Sequence, residues 1–186
     1  MKVMTAETLA VADSVSAGSP SLEGRLATLF DAHHQRLYRL ARRLSPNDED
    51  ARDLTQDTYL RAAQKLTSVP IGAAAEEAWL VRVLINLCRD RWRRESVRVR
   101  ANPYEARMAA LPSGEAAMMA RATIWKALQL LSPRRRAIVI MCELEGLAVP
   151  AVAEMLGLRS VTVRWHLSRG RRDLERFISQ WEGVGR

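Results

Sequence analysis

Aromatic side chains are scarce in this 186-residue chain: Phe, Trp and Tyr together make up 5% of it. Strands draw on aromatic and β-branched residues, whereas the abundant Ala, Leu and Arg here favour helix. Cysteine is rarer still. Cys88 and Cys142 lie far apart, each within an apolar helical pattern and neither in a CxxC pair. That excludes a disulfide scaffold and leaves two buried free thiols as the expectation. Three histidines, His33, His34 and His166, do not make a metal-ligand cluster. No apolar run nears the ~18 residues of a membrane span, so no membrane insertion is expected. Residues 1–20 lack the charged start and apolar core of a secretory signal and read as a loose tail. Acid is in deficit: 21 Asp and Glu stand against 29 Lys and Arg, a net charge of +8. So basic a balance points to a polyanionic partner, nucleic acid first. There is no nucleophile–base pair and no glycine loop to cradle a phosphate, so neither catalysis nor a cofactor is expected.

What is present is helical punctuation. Leu147 to Arg176 reads as two short helices joined by a tight turn. Pro150 suits the first turn of a helix from about Val149 to Leu156, and Val152, Ala153 and Leu156 give it an apolar stripe. Gly157 can supply a positive φ, Leu158 plugs the gap between the helices, and Ser160 stands where an N-cap belongs. The second helix turns Val163, Leu167, Leu174 and Phe177 inward. Its other face carries Arg164, His166, Arg169, Arg171 and Arg172. This is the pattern of a helix-turn-helix, whose second helix enters the DNA major groove.

Upstream, Ser19-Pro20 can open a helix on which Leu22, Leu26, Leu29, Phe30, Leu37, Leu40, Ala41 and Leu44 recur at helical spacing. His33 and His34 are expected on its surface or half-buried. Ser45-Pro46-Asn47 turns the chain into a second helix, about 46–66, whose Asp48, Glu49 and Asp50 suit the positive end of the helix dipole. Asp50, Asp53 and Asp57 share a face with Gln56 nearby, and spacing alone reads them as solvated charge. Residues 67–75 form a loop. A third helix, about Glu76 to Arg94, has Trp79, Leu80, Val83, Leu84, Leu87 and Cys88 as its apolar face, with Trp92 expected to pack inward. Its end is Arg-rich and suits phosphate. Residues 96–114 read as a linker, with a short helix around Glu105 to Ala110. Glu115 to Leu131 is helical, and Ser132-Pro133 opens another helix whose core stripe is Ala137, Ile138, Met141 and Leu144 and whose stop is Gly146. Residues 182–186 are expected to fray. The chain is thus expected to be all-α: a tail over 1–20, a helical domain over 21–95, a flexible linker over 96–114 and a second small helical domain over 115–181.

The stretches DLTQDTYLRA (53–62), AWLVRVLINLCRDRWRR (78–94) and LSPRRRAIVIMCELEGLAVPAVAEMLGLRSVTVRWHLSRGRRDL (131–174), in this order and separation, resemble a bacterial RNA polymerase sigma factor. The short two-domain form resembles the extracytoplasmic-function (ECF) group of the sigma-70 family. The resemblance covers about residues 22–95 and 115–178. It implies that the first half is a sigma-two domain binding the β′ clamp coiled coil of core RNA polymerase through Asp53, Gln56 and Asp57. It implies promoter −10 recognition and melting by loop 67–77 and the third helix, with Arg82, Asn86, Asp90, Arg93 and Arg94 on the DNA-facing side. The second half would be a sigma-four domain, resting on the β flap. There Ser160, Thr162, Arg164, Trp165, His166 and Arg169 would lie at the −35 element, with Arg171 and Arg172 on phosphates. An anti-sigma partner and work in the bacterial cytoplasm are implied as well. Three residues depart from the family pattern: Ala63 where Trp is frequent, Ala148 where a hydroxyl would cap the motif's first helix, and Trp165 where a small residue is usual. The rival reading of the same residues is a stand-alone dimeric helix-turn-helix regulator that needs no polymerase.

Overall fold

A computed structural model describes residues 22–101 and 124–184, and the side chains within 22–95 and 124–180. Among these residues every regular element is helical. The tail, the Ser19-Pro20 helix start, the linker beyond 101 with its short helix, and the start of the helix at Glu115 lie outside the described residues.

Helix α1 (Leu22–Leu44) buries Leu29, Leu37, Leu40, Ala41 and Leu44. His33 is buried with them, not at the surface, because its Nε2 meets Glu76 Oε2 at 3.1 Å across the bundle. Leu22 and Phe30, placed on the apolar stripe by spacing, are exposed. Helix α2 (Asp48–Gln64) starts two residues later than the prolyl turn suggests. Asn47 caps it, its side-chain oxygen accepting from the Asp50 N–H at 2.8 Å. Arg42 and Asp48 pair across the α1–α2 turn. Leu54, Thr58 and Ala62 are buried as the period demands, and the Thr58 hydroxyl is satisfied by Leu54 O at 2.7 Å.

Leu66–Ser68 adds a short 3₁₀ turn, and Arg25 pins the chain that follows, donating to Leu66 O at 3.1 Å and Val69 O at 2.6 Å. Helix α3 (Ala73–Ala101) begins three residues before the sequence pattern suggests and runs seven beyond it. Residues 73–75 therefore belong to a helix, and so does 96–101, expected to be linker. Alternating Val and Arg over 97–100 breaks amphipathic spacing without breaking a helix. Leu80, Val81, Leu84, Ile85 and Cys88 face inward; Trp92 stands exposed, not packed.

Residues 124–129 are helical. Helix α4 (Pro133–Val139) opens on Ser132-Pro133 and runs into a π turn, Ile140–Leu144. The wider turn shifts the helical phase, so Leu144 is exposed while Ala137, Ile138 and Met141 are fully buried. Gly146, at φ +66°, reverses the chain, and the Leu147 N–H closes on Met141 O at 3.0 Å. Helix α5 (Val149–Leu156) ends in a Schellman closure: Gly157 takes φ +64°, the Leu158 N–H reaches Ala153 O at 2.8 Å and the Gly157 N–H reaches Glu154 O at 3.1 Å. Helix α6 (Ser160–Val184) extends through 182–184, expected to fray.

The two halves share one continuous buried cluster, from Leu29 and Leu84 to Ile138, Val152 and Val163. Helix α5 lies against α3, and α4 against α1 and α3. Arg136, only 5% exposed, sits in this seam.

One glycine that no turn signal marks is required here. A Cβ on Gly170 would stand 2.5 Å from Val139 Cγ2 and 3.3 Å from Arg135 Cγ. Gly170→Ala should therefore push α6 off α4 and cost about 1–2 kcal/mol net, despite the better helix propensity of Ala. Thermal unfolding of the single variant and of its combination with Val139→Ala checks this. The added cost must shrink when Val139 is trimmed; an undiminished cost would point to a cause other than this contact.

Candidate nucleic-acid interface

Three surfaces carry the candidate residues, and each rests on a different helix. On α2, Asp53 and Gln56 are exposed and Asp57 half-buried, one turn apart on the outer face. Asp57 is not open charge: Arg91, reaching from α3, donates to its Oδ2 at 2.5 Å and to the Asp50 carbonyl at 3.4 Å. Gln56 also borders an open groove of about 640 Å³ between α1 and α2, walled by Phe30, His34, Tyr38, Tyr59 and Leu60. Ala63 lines it too, so the missing Trp leaves space rather than a fault in the core. Burial pushes the Tyr59 phenol up to about 12, so it stays protonated.

On α3, Arg82, Asn86 and Asp90 follow at intervals of four, and Arg93 and Arg94 lie three and four residues beyond Asp90, making one stripe along the helix. Its two ends differ. Asn86, Arg93 and Arg94 are exposed, and Arg94 Nε leans on the Asp90 carbonyl at 3.3 Å. Arg82 is half-buried and donates to the Met155 carbonyl at 3.0 Å, in the first helix of the helix-turn-helix. In this arrangement Arg82 is turned to its own chain, and contact with DNA there requires that bond to be given up. Just before α3, the loop 69–72 holds out Ile71, 88% exposed.

The third surface is α6. Val163 and Leu167 anchor it inward, which turns Arg164, Trp165, Arg169, Arg171 and Arg172 outward. Ser160 is not the N-cap: Thr162 and Val163 N–H groups bond to Arg159 O at 2.9 and 3.1 Å, so Arg159 is the half-in residue and Ser160 the first of the helix. Ser160 and Thr162 are half-buried. The arginines are not equivalent. Arg171 is engaged twice by Glu143, through Nε at 3.0 Å and Nη2 at 2.6 Å. Arg169 has only a loose pair, Nε to Asp173 Oδ1 at 3.6 Å. His166 is half-buried, and burial, with Arg135 and Arg134 nearby, holds its pKa below the ordinary histidine value. The neutral ring therefore predominates at neutral pH.

Sequence reasoning missed the arginines behind this face. Arg135 lies over the Trp165 ring, 5.8 Å from its centroid, and donates to Asp173 Oδ2 at 2.7 Å. A run of three arginines at a helix start reads as solvated charge; only the tertiary contacts separate buried Arg136 from exposed Arg134. Both cysteines are free, Cys88 buried and Cys142 half-buried; burial raises both thiols above the ordinary range. No helix among the described residues is long and apolar enough to cross a membrane.

Comparison with known proteins identifies the family of both halves. Residues 29–98 match the family model of sigma-70 region 2, and residues 121–174 that of sigma-70 region 4. The chain is 36% identical over 158 residues to the ECF RNA polymerase sigma factor SigE of Mycolicibacterium smegmatis, covering 82% of this chain but 61% of that one. It is 34% identical over 152 residues to the ECF sigma factor SigM of Mycobacterium tuberculosis, covering 81% of this chain and 75% of that one. With SigL of the same species it shares 30% over 177 residues, 92% of this chain and 98% of that one. Among solved structures, the sigma factor RpoE in complex with the anti-sigma factor NepR from Bartonella quintana shares the fold at TM-score 0.57 and 23% identity, over 87% of this chain and 98% of that one. CnrH in complex with the cytosolic domain of CnrY has the same TM-score and identity, over 83% and 88%.

Proposed function

Because the chain belongs to the ECF group of RNA polymerase sigma factors of the sigma-70 family, we propose that it binds core RNA polymerase and directs transcription initiation at promoters whose −35 and −10 elements it reads. The α2 surface of Asp53, Gln56 and Asp57 docks on the β′ clamp coiled coil, its acids meeting basic side chains in charge-assisted contacts. The α3 stripe and the loop before it engage the −10 element. Unstacking a base there costs a few kcal/mol, which fixed donors along α3 and the apolar Ile71 can offset. The helix-turn-helix reads the −35 element through α6 and rests on the β flap. The chain has no catalytic role of its own and works in the bacterial cytoplasm beside the polymerase. An anti-sigma partner is part of the proposal, since two proteins of this fold are described in complex with such partners or a cytosolic domain.

The observation that carries the reading is the pairing in one chain of a polar, cationic stripe on α3 with an Arg-faced recognition helix on α6. A dimeric operator-binding regulator needs the second and has no use for the first. Run-off transcription tests it: core polymerase with and without the chain, on promoter fragments from its own genome. Discrete transcripts that require the chain are expected. Tight duplex binding by the chain alone, without such transcripts, would establish the regulator instead.

The clamp surface has its own test. Asp53→Arg is expected to weaken assembly with core polymerase about tenfold, a shift typical of one charge pair at a protein interface, with the melting temperature unchanged. Asp53 is the better probe because reversing Asp57 would also break its bond to Arg91. Assembly at wild-type affinity would remove α2 from the interface.

A further inference from the structure

Two large apolar side chains stand in solvent where the recognition helix begins: Val161 is 64% exposed and Trp165 58%. Four residues apart, they lie one above the other on a single ridge, which Arg169 continues one turn later. They take no part in the core of the motif, which Val152, Ala153, Val163 and Leu167 make. Helix α6 packs on α4 and α5; the ridge stands outside that packed face, met from α4 by the Arg135 side chain.

The exposed indole is nonetheless held. The Arg135 guanidinium lies over its ring at 5.8 Å, and the His166 ring stands edge-on at 4.9 Å and 75°. Arg135 is itself tied to Asp173 at 2.7 Å, and His166 is half-buried. A side chain so confined loses little further rotamer freedom when a partner arrives. Exposed, apolar and pre-oriented, the ridge is suited to an apolar group at a defined place. Phosphates give it nothing. Base edges in the major groove offer donors, acceptors and one apolar group, the 5-methyl of thymine.

We propose that Val161 and Trp165 form an apolar reading ridge for thymine 5-methyl groups in the −35 element, with Arg135 the positioning residue that holds the indole in place. This rests on the promoter-binding reading above. It gives the unusual Trp165 a function: where a small side chain leaves room for water, the indole covers a methyl and makes specificity at that base pair depend on it.

The test replaces every −35 thymine of a promoter found by run-off transcription with deoxyuridine, on either strand, which removes the methyls and leaves every hydrogen-bonding edge intact. Holoenzyme reconstituted from core polymerase and the full chain is titrated against both promoters. Wild-type holoenzyme should bind the uracil promoter roughly fourfold more weakly per contacted methyl, the ratio that burying one methylene-sized group gives. Trp165→Ala and Val161→Ala should bind thymine more weakly than wild type and lose the thymine-over-uracil preference. Arg135→Gln should lower that preference while leaving the cost of Arg172→Ala unchanged, which a general loosening of the domain would not do; Arg172 is the control because Arg169 shares Asp173 with Arg135. Equal wild-type binding to both promoters overturns the proposal. So does a uracil penalty that persists in the Val161/Trp165 double alanine variant, because the methyls then act through DNA shape. A −35 element without A·T pairs overturns it, and so does Trp165→Ala acting on assembly with core polymerase, which would make the ridge a protein contact. Failure of any chain-dependent transcription is distinct from all of these and overturns the promoter reading together with this one.

Discussion

Replacing Arg136 with alanine should cost about 3 kcal/mol of stability, the largest loss expected of any single polar truncation among the described residues. The guanidinium donates through Nε to Leu128 O at 2.9 Å, through Nη1 to Leu44 O at 3.3 Å, and through Nη2 to Gln129 O at 3.3 Å and Leu131 O at 3.4 Å. It also faces the Trp125 ring at 5.2 Å. None of these partners is a carboxylate. The cation is held by carbonyl dipoles at the ends of two helical segments, where partial negative charge gathers, and burial lowers its pKa from the ordinary arginine value. Truncation takes the side-chain donor from the Leu44 and Leu131 carbonyls, each such buried group costing roughly 1–3 kcal/mol when unsatisfied; Leu128 O keeps the Leu131 N–H, and a void opens beside Trp125.

For a chain of this size, about 3 kcal/mol corresponds to a fall of roughly 6–12 °C in melting temperature. Arg136→Lys should rescue little, because one ammonium cannot span carbonyls belonging to separate segments. Arg136→Met should recover more than Lys, since it fills the volume and brings no charge to bury. Calorimetry on the three variants decides; a melting temperature for Arg136→Ala within a degree of wild type would show that the seam does not depend on this side chain.

Arg136 also marks where sequence reasoning ends. Local signals placed most elements: Ser132-Pro133 opens a helix, Gly146 and Gly157 take the left-handed conformations that close helices, and the 3.6-residue period found Leu37, Leu54, Leu84 and Ile138 in the core. Asn47 capped α2 within the turn that Ser45-Pro46-Asn47 announced. The errors share a cause. Leu144 fell outside the core because a π turn adds residues to the last turn and rotates the stripe, which no residue type signals. The α3 helix outlasts its amphipathic pattern because a helix needs no apolar face once it leaves the bundle. The seam between the halves leaves no period at all: Leu44 and Arg136, or Arg82 and Met155, meet across 92 and 73 residues. The same holds for the site. The Arg-rich face of α6 was legible as a face. Which arginines are already paired, and that Arg135 backs Trp165, depends on contacts between helices.

Arg169→Ala should lower −35-dependent transcription by about 5- to 150-fold, equivalent to the ~1–3 kcal/mol of one bidentate base contact, and Arg171→Ala should lower it by much less. Both residues are exposed arginines on the same helix, two positions apart, and composition cannot rank them. The structure does. Arg171 delivers Nε and Nη2 to a single Glu143 oxygen, so its charge is largely balanced and its fork is occupied before DNA arrives. Arg169 has only the 3.6 Å approach to Asp173. A surface pair at i, i+4 is worth a few tenths of a kcal/mol, so a guanine edge or phosphate can displace it at little cost. Asp173 is also shared with Arg135, which keeps it satisfied when Arg169 leaves.

Arg169 further continues the ridge of Val161 and Trp165, one turn on, so the proposed base readout predicts a sequence-dependent loss. The discriminating measurement is transcription from the intact promoter and from one with the −35 element scrambled. For Arg169→Ala the loss should vanish on the scrambled promoter, because base readout has already been removed. A loss of equal size on both would make Arg169 a phosphate contact, and binding titrated against salt would then show one fewer counterion released. Glu143→Gln supplies the converse: with its partner neutralised, Arg171 should strengthen binding to both promoters alike, since a freed charge attracts phosphate whatever the sequence.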